Sequence, residues 1–261
     1  MITHILDLAL TSYLPLALSN NNLTSIDVSS ASDLQVFNAS MNQISSVNFG
    51  SNSNLWLLNL AANGLESIDL STLPGLEQIS LSNNYLSEID LSANNNIKVL
   101  QLDGNMFDFT TLPRPNSNWY VYSYSNQYPL LVDPVGNTVD LSSQARVDDT
   151  ETQFVWYQGV PEYNEFGELT GTTLVEGIDY TIDNGVTTFL HSFNDVMCIL
   201  TNSVFPNMFL YTPLLSTSGV DSIIDDNVQE NNTIFNLQGV PCNKVPEPGI
   251  YIINGKKILV K

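Results

Sequence analysis

Asparagine stands at positions 21, 42, 63, 84 and 105, always 21 residues apart, and the apolar residues around it keep the same step. Tyr13, Leu34, Leu55, Leu76 and Ile97 form one column, and Leu16, Phe37, Leu58, Ile79 and Leu100 the next. Leu18, Ala39, Leu60, Leu81 and Leu102 make a third. After the asparagine come Leu23, Ile44, Leu65, Leu86 and Phe107, then Val28, Phe49, Leu70, Leu91 and Leu112. Neither the two-residue period of a strand nor the 3.6-residue period of a helix gives this spacing. A long fixed period requires a stack of like coils, each touching only its neighbours. One coil cannot bury its own leucines; stacking does, at about 1.5–3 kcal/mol per buried side chain.

The pattern L-x-x-L-x-L-x-x-N-x-L at this period resembles the leucine-rich repeat family. The resemblance implies a solenoid in which the L-x-L pair points inward from a short parallel strand. The asparagine also turns inward, where its amide bonds the backbone of its own and the adjacent coil. A buried amide without partners is costly, so a ladder of Asn21, Asn42, Asn63, Asn84 and Asn105 holds the coils in register. Such solenoids bind on the concave strand face. Its outward columns here are Pro15, Val36, Leu57, Gln78 and Val99, then Ala17, Asn38, Asn59, Ser80 and Gln101. The candidate ligand-binding residues are therefore Val36, Asn38, Trp56, Leu57, Asn59, Gln78, Val99 and Gln101. This amide-rich, uncharged face with its thin aliphatic strip suits a flat protein surface. With Trp56 beside it, it also suits a surface glycan.

A second polar column, Asp27, Asn48, Asp69 and Asp90, follows the apolar residue of each returning segment. It reads either as a calcium ladder or as side chains capping turn amides. Asn48 interrupts the charge and no second acidic column stands beside it, which favours capping, and no metal or other cofactor is expected.

The repeat pattern stops at "FTTLPRPNSN", where Pro113 and Pro115 end regular pairing. The segments "WYVYSYSNQYPLLV", "TVDLSSQARV", "TQFVWYQG", "DYTIDNGVTTFL", "DVMCILTN" and "NMFLYT" then read as short strands between turns, as in a β-sandwich. Trp156 followed by "YQG", and Cys198 in "DVMCILTN", resemble the core tryptophan and second cysteine of an immunoglobulin-like domain. The position of the first cysteine, near Ser143, holds none, so that core disulfide is absent and Cys198 reads as a small buried hydrophobe. From residue 214 the chain turns polar and acidic, as a linker does. Asn254-Gly255 then marks a hairpin. The stretch with "NLQG" and "GIYIINGKK", ending in lysine, resembles the C-terminal sorting tails of secreted Bacteroidetes proteins. The triplet Asp221 to Ile223 matches a short O-glycosylation pattern of such bacteria. The expected architecture is mostly β: a solenoid over 1–113, an immunoglobulin-like sandwich over 114–213, and an acidic linker and tail over 214–261. Residues 2–8 read as the end of a repeat whose beginning is absent, so that the native protein starts earlier with a signal peptide.

The net charge is −20, with only seven Lys and Arg residues, which argues against nucleic acid as a partner. No apolar run is long enough to span a membrane. Two histidines, His4 and His191, and two cysteines, Cys198 and Cys242, offer no metal cluster or disulfide framework. No nucleophile elbow, phosphate loop or zinc motif appears. Glu162, Glu165 and Glu168 read as a solvated acidic loop rather than an acid/base pair. The expected function is that of a monomeric, non-enzymatic binding or adhesion protein at the cell surface or outside the cell. Its partner would be a protein or a surface glycan.

Overall fold

A computed structural model describes residues 15–165 and 168–217, together with the backbone of short strands between 223 and 260. The expectations for His4, Tyr13 and the partial first coil fall outside these residues. Two compact units are present. The first is built on the chain up to Leu130 together with 146–153 and 200–211, and the second on 131–145, 154–199 and 212 onward.

In the first unit each coil contributes one three-residue strand to a parallel sheet. The strands are β1 (Pro15–Ala17), β3 (Val36–Asn38), β5 (Leu57–Asn59), β6 (Gln78–Ser80), β7 (Val99–Gln101) and β8 (Val121–Ser123), adjacent in that order. Val36, Leu57, Gln78 and Val99 pair in register, so every step between these strands is one coil, as the asparagine spacing requires. The central residues Phe37, Leu58, Ile79 and Leu100 are at most 1% exposed, while their neighbours on either side are half-buried. This alternation is the two-residue period of a strand, confined to three residues per coil. Among the described coils the returning segments pair only in the first two, as β2 (Ser25–Asp27) and β4 (Ser46–Asn48).

The parallel ladder does not end at the prolines. Strand β8 lies beyond them, in the segment that the sequence reads as the start of the sandwich, and pairs Val121 with Val99 and Tyr122 with Leu100. Pro113 and Pro115 fall in the irregular return of a coil, where no ladder amide is needed, so they interrupt nothing. Tyr122 and Tyr124 take the two inward leucine positions. Beyond this coil the core is closed by Phe205, which is fully buried. Its ring stacks on Phe109 at 6.2 Å, meets Tyr124 edge-on at 5.6 Å, and lies under the Arg114 guanidinium at 5.5 Å. Arg114 also pairs with Asp148, and Asn202 donates to Thr152 Oγ1 at 3.0 Å. The strands β10 (Arg146–Val147) and β11 (Thr150–Glu151) form a small antiparallel pair in this unit.

Up to Thr217 the paired strands of the second unit run antiparallel, with one isolated parallel bridge between Glu176 and Tyr180. Strand β9 (Thr138–Asp140) pairs with β15 (Val186–Phe189), which pairs with β14 (Tyr180–Asp183). A second sheet holds β12 (Gln153–Tyr163), β13 (Leu169–Thr173), β16 (Phe193–Thr201) and β18 (Leu215–Thr217), while the short strand β17 (Leu210–Tyr211) belongs to the first unit. Trp156 of β12 is fully buried and meets Phe189 of β15 edge-on at 4.8 Å, so the two sheets share one core. Its indole N–H donates to Thr187 Oγ1 at 3.1 Å, which satisfies the only polar atom of the ring. Cys198 is fully buried, and burial pushes its thiol pKa far above the usual range. The turn between β14 and β15 uses Asn184 and Gly185, both at positive φ, as a tight hairpin needs. A Cβ on Gly185 would lie 2.8 Å from the carbonyl oxygen of Leu141.

In the tail, β22 (Gly249–Ile253) and β23 (Lys256–Val260) pair antiparallel as the hairpin signal predicts. They are part of a sheet with β19 (Ile223–Ile224), β20 (Ile234–Phe235) and β21 (Pro241–Cys242), which is more than the single hairpin read from the sequence. The turn residues Asn254 and Gly255, and the side chain of Cys242, lie outside the described residues.

Candidate functional site on the concave strand face

The backbone of each coil is set by its asparagine. Asn84, only 1% exposed, donates through Nδ2 to Leu60 O at 3.0 Å and Leu81 O at 2.9 Å, and its Oδ1 accepts the Leu65 amide at 3.0 Å. Asn42, Asn63 and Asn105 repeat this set one coil apart. Asn21, at the first described coil, bonds its own coil through Leu18 O. Each carbonyl of the ladder thus receives two amide donors, one from its own coil and one from the next. The series has a sixth member. Gln127 donates to Leu102 O and Tyr124 O and accepts from Phe107 N at 3.0 Å. It follows Asn105 by one position more than the repeat step, and the longer side chain accompanies the longer coil. The spacing Tyr122-x-Tyr124-x-x-Gln127 repeats L-x-L-x-x-N, so allowing one inserted residue and Gln for Asn would have found it.

This ladder places the predicted face. Val36, Leu57, Gln78 and Val99 form one half-buried column, and Asn38, Asn59, Ser80 and Gln101 the other, with Val121 and Ser123 continuing them. Asn38 and Asn59 accept the backbone amides of Ser40 and Ala61 through Oδ1, both at 3.1 Å, so these side chains hold the strand-to-turn corner as well as facing outward. Trp56 is 37% exposed. Its column also carries Glu77, Lys98 and Tyr120, which bond the adjoining coils through their backbone amides. Lys98 Nζ meets Glu77 Oε2 at 2.6 Å, which raises the lysine pKa, and Tyr120 is 79% exposed. The face is therefore neutral across its two columns and bordered by one ion pair and two aromatic rings. Of this column the sequence singles out Trp56 alone, since Tyr120 lies in the coil that departs from the 21-residue step and Glu77 and Lys98 meet only once the strands pair.

The acidic column caps turns. Asp27 Oδ1 accepts the Ser29 amide, Asp69 that of Ser71 and Asp90 that of Ser92, at 2.8–2.9 Å, and Asn48 does the same for Gly50. These bonds hold the three carboxyls below the ordinary aspartate range, with the Ser29, Ser71 and Ser92 hydrogen bonds as the cause. Asn48 Nδ2 donates to Asp27 Oδ2 at 2.9 Å, so the asparagine in the column also relieves carboxylate repulsion. Among the described residues no cluster of His, Cys, Asp or Glu has the geometry of a metal site. Glu162, Glu165 and Glu168 lie exposed on the β12–β13 hairpin, where Asn164 bonds Glu168. Among those residues, too, no helix is long and apolar enough to cross a membrane.

No family model matches this chain, and no curated protein does. Among solved structures it is similar to the functional domain of InlJ from Listeria monocytogenes, described as including a cysteine ladder. The identity is 20% and the TM-score 0.40, over 76% of this chain and 48% of that one. The chain spans about half the length of that structure.

Proposed function

We propose that this is a non-enzymatic binding protein, secreted or displayed at the cell surface, that takes a protein partner on the concave face of its solenoid. The observation that carries this reading is the in-register pair of neutral columns, Val36-Leu57-Gln78-Val99 and Asn38-Asn59-Ser80-Gln101, on a rigid sheet. A surface of aliphatic carbon and amides can be desolvated without stranding a charge, which is what the centre of a protein interface needs. The second unit then acts as an immunoglobulin-like spacer, and the tail as a sorting segment of the type found in secreted Bacteroidetes proteins. The test is a concave-face variant, Leu57→Arg with Gln78→Arg, compared with Tyr163→Arg in the second unit. A surface protein captured by the wild type should be lost by the first variant and kept by the second, with both retaining their far-ultraviolet spectra. Equal capture by all three would refute the assignment.

A second reading rests on Trp56 and the exposed Tyr120 in the same column, bordering the carboxamides of Asn59 and Gln78. In that reading the concave face holds a surface glycan. Capture that free sugar competes away, and that Trp56→Ala abolishes, would favour it over the protein partner.

A further inference from the structure

A cleft of about 420 Å³ lies in the first unit away from the concave strands, between the return of the fourth coil and the return of the fifth, which leads into β8. Its walls are Leu91, Ile97, Pro113 and Trp119, and its polar groups are Asn94 with the asparagines at 95, 116 and 118. No titratable side chain lines it, although the chain carries a net charge of −20. The volume is within the range of small-ligand sites, about 300–1,000 Å³.

Asn94 is 4% exposed, and its Nδ2 donates to Leu70 O at 3.2 Å and Leu73 O at 2.8 Å. Its Oδ1 is buried and has no hydrogen-bond partner. Asn52, two coils earlier in the same column, is likewise a double donor to backbone carbonyls with an orphaned oxygen. What Asn94 adds is its place in the wall of a cleft with a tryptophan. A buried acceptor left without a donor costs about 1–3 kcal/mol, and the groups that an occupant of the cleft meets directly are the exposed asparagines at 95, 116 and 118 and the indole of Trp119. Trp119 is half-buried, with its ring held edge-on against Tyr122 at 4.9 Å. Tyr122 is tied in turn by its hydroxyl to Pro113 O. Asn116 is fixed by the turn it closes, with Oδ1 accepting the Asn118 amide at 2.9 Å and its carbonyl accepting the Trp119 amide at 3.0 Å.

We propose that this cleft is a binding site for a neutral saccharide, separate from the concave face. The C–H face of a pyranose ring packs on an indole, and carboxamides offer donor and acceptor side by side, which matches vicinal hydroxyls. A charged ligand finds no counterion in this wall, and a purely apolar one leaves the asparagines unpaired.

The experiment is titration of the full chain with a panel of neutral disaccharides (cellobiose, maltose, lactose, chitobiose, mannobiose and xylobiose), followed calorimetrically and by tryptophan fluorescence. At least one should bind saturably with a Kd below about 10 mM. Trp119→Ala should weaken that sugar by about tenfold or more, whereas Trp56→Ala on the concave rim leaves it unchanged. Asn95→Ala, an exposed position, gives a second readout that does not depend on Trp119→Ala folding, and should weaken binding by about threefold. No saturable binding across the panel overturns the proposal. So does binding that survives both Trp119→Ala and Asn95→Ala. Loss in Trp56→Ala alone overturns it as well, and moves the saccharide to the concave face.

Discussion

Replacing Asn84 by alanine tests the ladder at a position that is buried on all sides. The change removes three hydrogen bonds, but their costs differ. Leu60 O keeps the amide of Asn63, and Leu81 O keeps that of Asn105. Those two carbonyls lose one donor of two, at about 0.5 kcal/mol each. The Leu65 amide is different, because the bond recorded for it is to Asn84 Oδ1. Buried and unpaired, it costs about 1–3 kcal/mol. The sum is a loss of about 2–4 kcal/mol, a large share of the roughly 5–15 kcal/mol that holds a domain folded. Asn59→Ala removes one bond, to Ala61 N, at a half-buried corner where water can substitute, and should cost about 0.5–1 kcal/mol. Asn84→Gln keeps the amide but adds a methylene to a coil of the ordinary length. It should destabilise by about 1–3 kcal/mol, because Gln127 is accommodated where the coil is one residue longer. Urea melts followed by circular dichroism measure all three, with an unchanged slope required before midpoints are compared. If Asn84→Ala and Asn59→Ala destabilise equally, the ladder does not hold the coils and the geometry of the concave face loses its basis.

Phe205→Ala should cost about 3–5 kcal/mol in the first unit, since it uncovers Phe109 and Tyr124 at the end of the stack; an unchanged solenoid melt would show that the ring is not the closing plug. Cys198 should resist thiol reagents in the native state and react only on unfolding, which peptide mapping after timed alkylation reads directly. The capping aspartates have folded pKa values below the ordinary 3.8, so their contribution is present above that value and is lost as the pH falls through the folded one. Acid melts should therefore steepen below about pH 4, and Asp69→Asn, which copies the natural Asn48, should make that limb shallower. An acid limb identical to wild type would show that the Ser71 bond does not depend on the charge.

Much of the concave face was legible because one structural rule generates it. A coil of constant length puts equivalent residues in line, so Val36, Leu57, Gln78 and Val99 had to share a column once the strands paired in parallel. The purpose of the acidic column was legible too, since an Asx side chain two residues before a free amide is a local arrangement. What lay outside reach was whatever depends on a departure from the period. Gln127 carries the ladder through a coil lengthened by one residue, and Tyr122 replaces a leucine, so the sixth coil looked like the next domain. The amides of Asn52 and Asn94 recur every second coil, with alanine and leucine at the equivalent positions of the other coils, and no single repeat announces them.

The sequence by itself therefore determined the solenoid, its register and the neutrality of its concave face. All three follow from local periodicity, in which each residue's neighbours are a fixed number of positions away. Tertiary structure alone decided how the stack ends and where its cleft lies. Phe205 reaches Phe109 across a long stretch of intervening chain, and Trp119 lines one cleft with Asn94 only because a proline-containing return folds back beside the fourth coil. Contacts of that kind carry no spacing rule. They are set by which apolar surface the last coil leaves uncovered, and by which later segment is long enough to reach it.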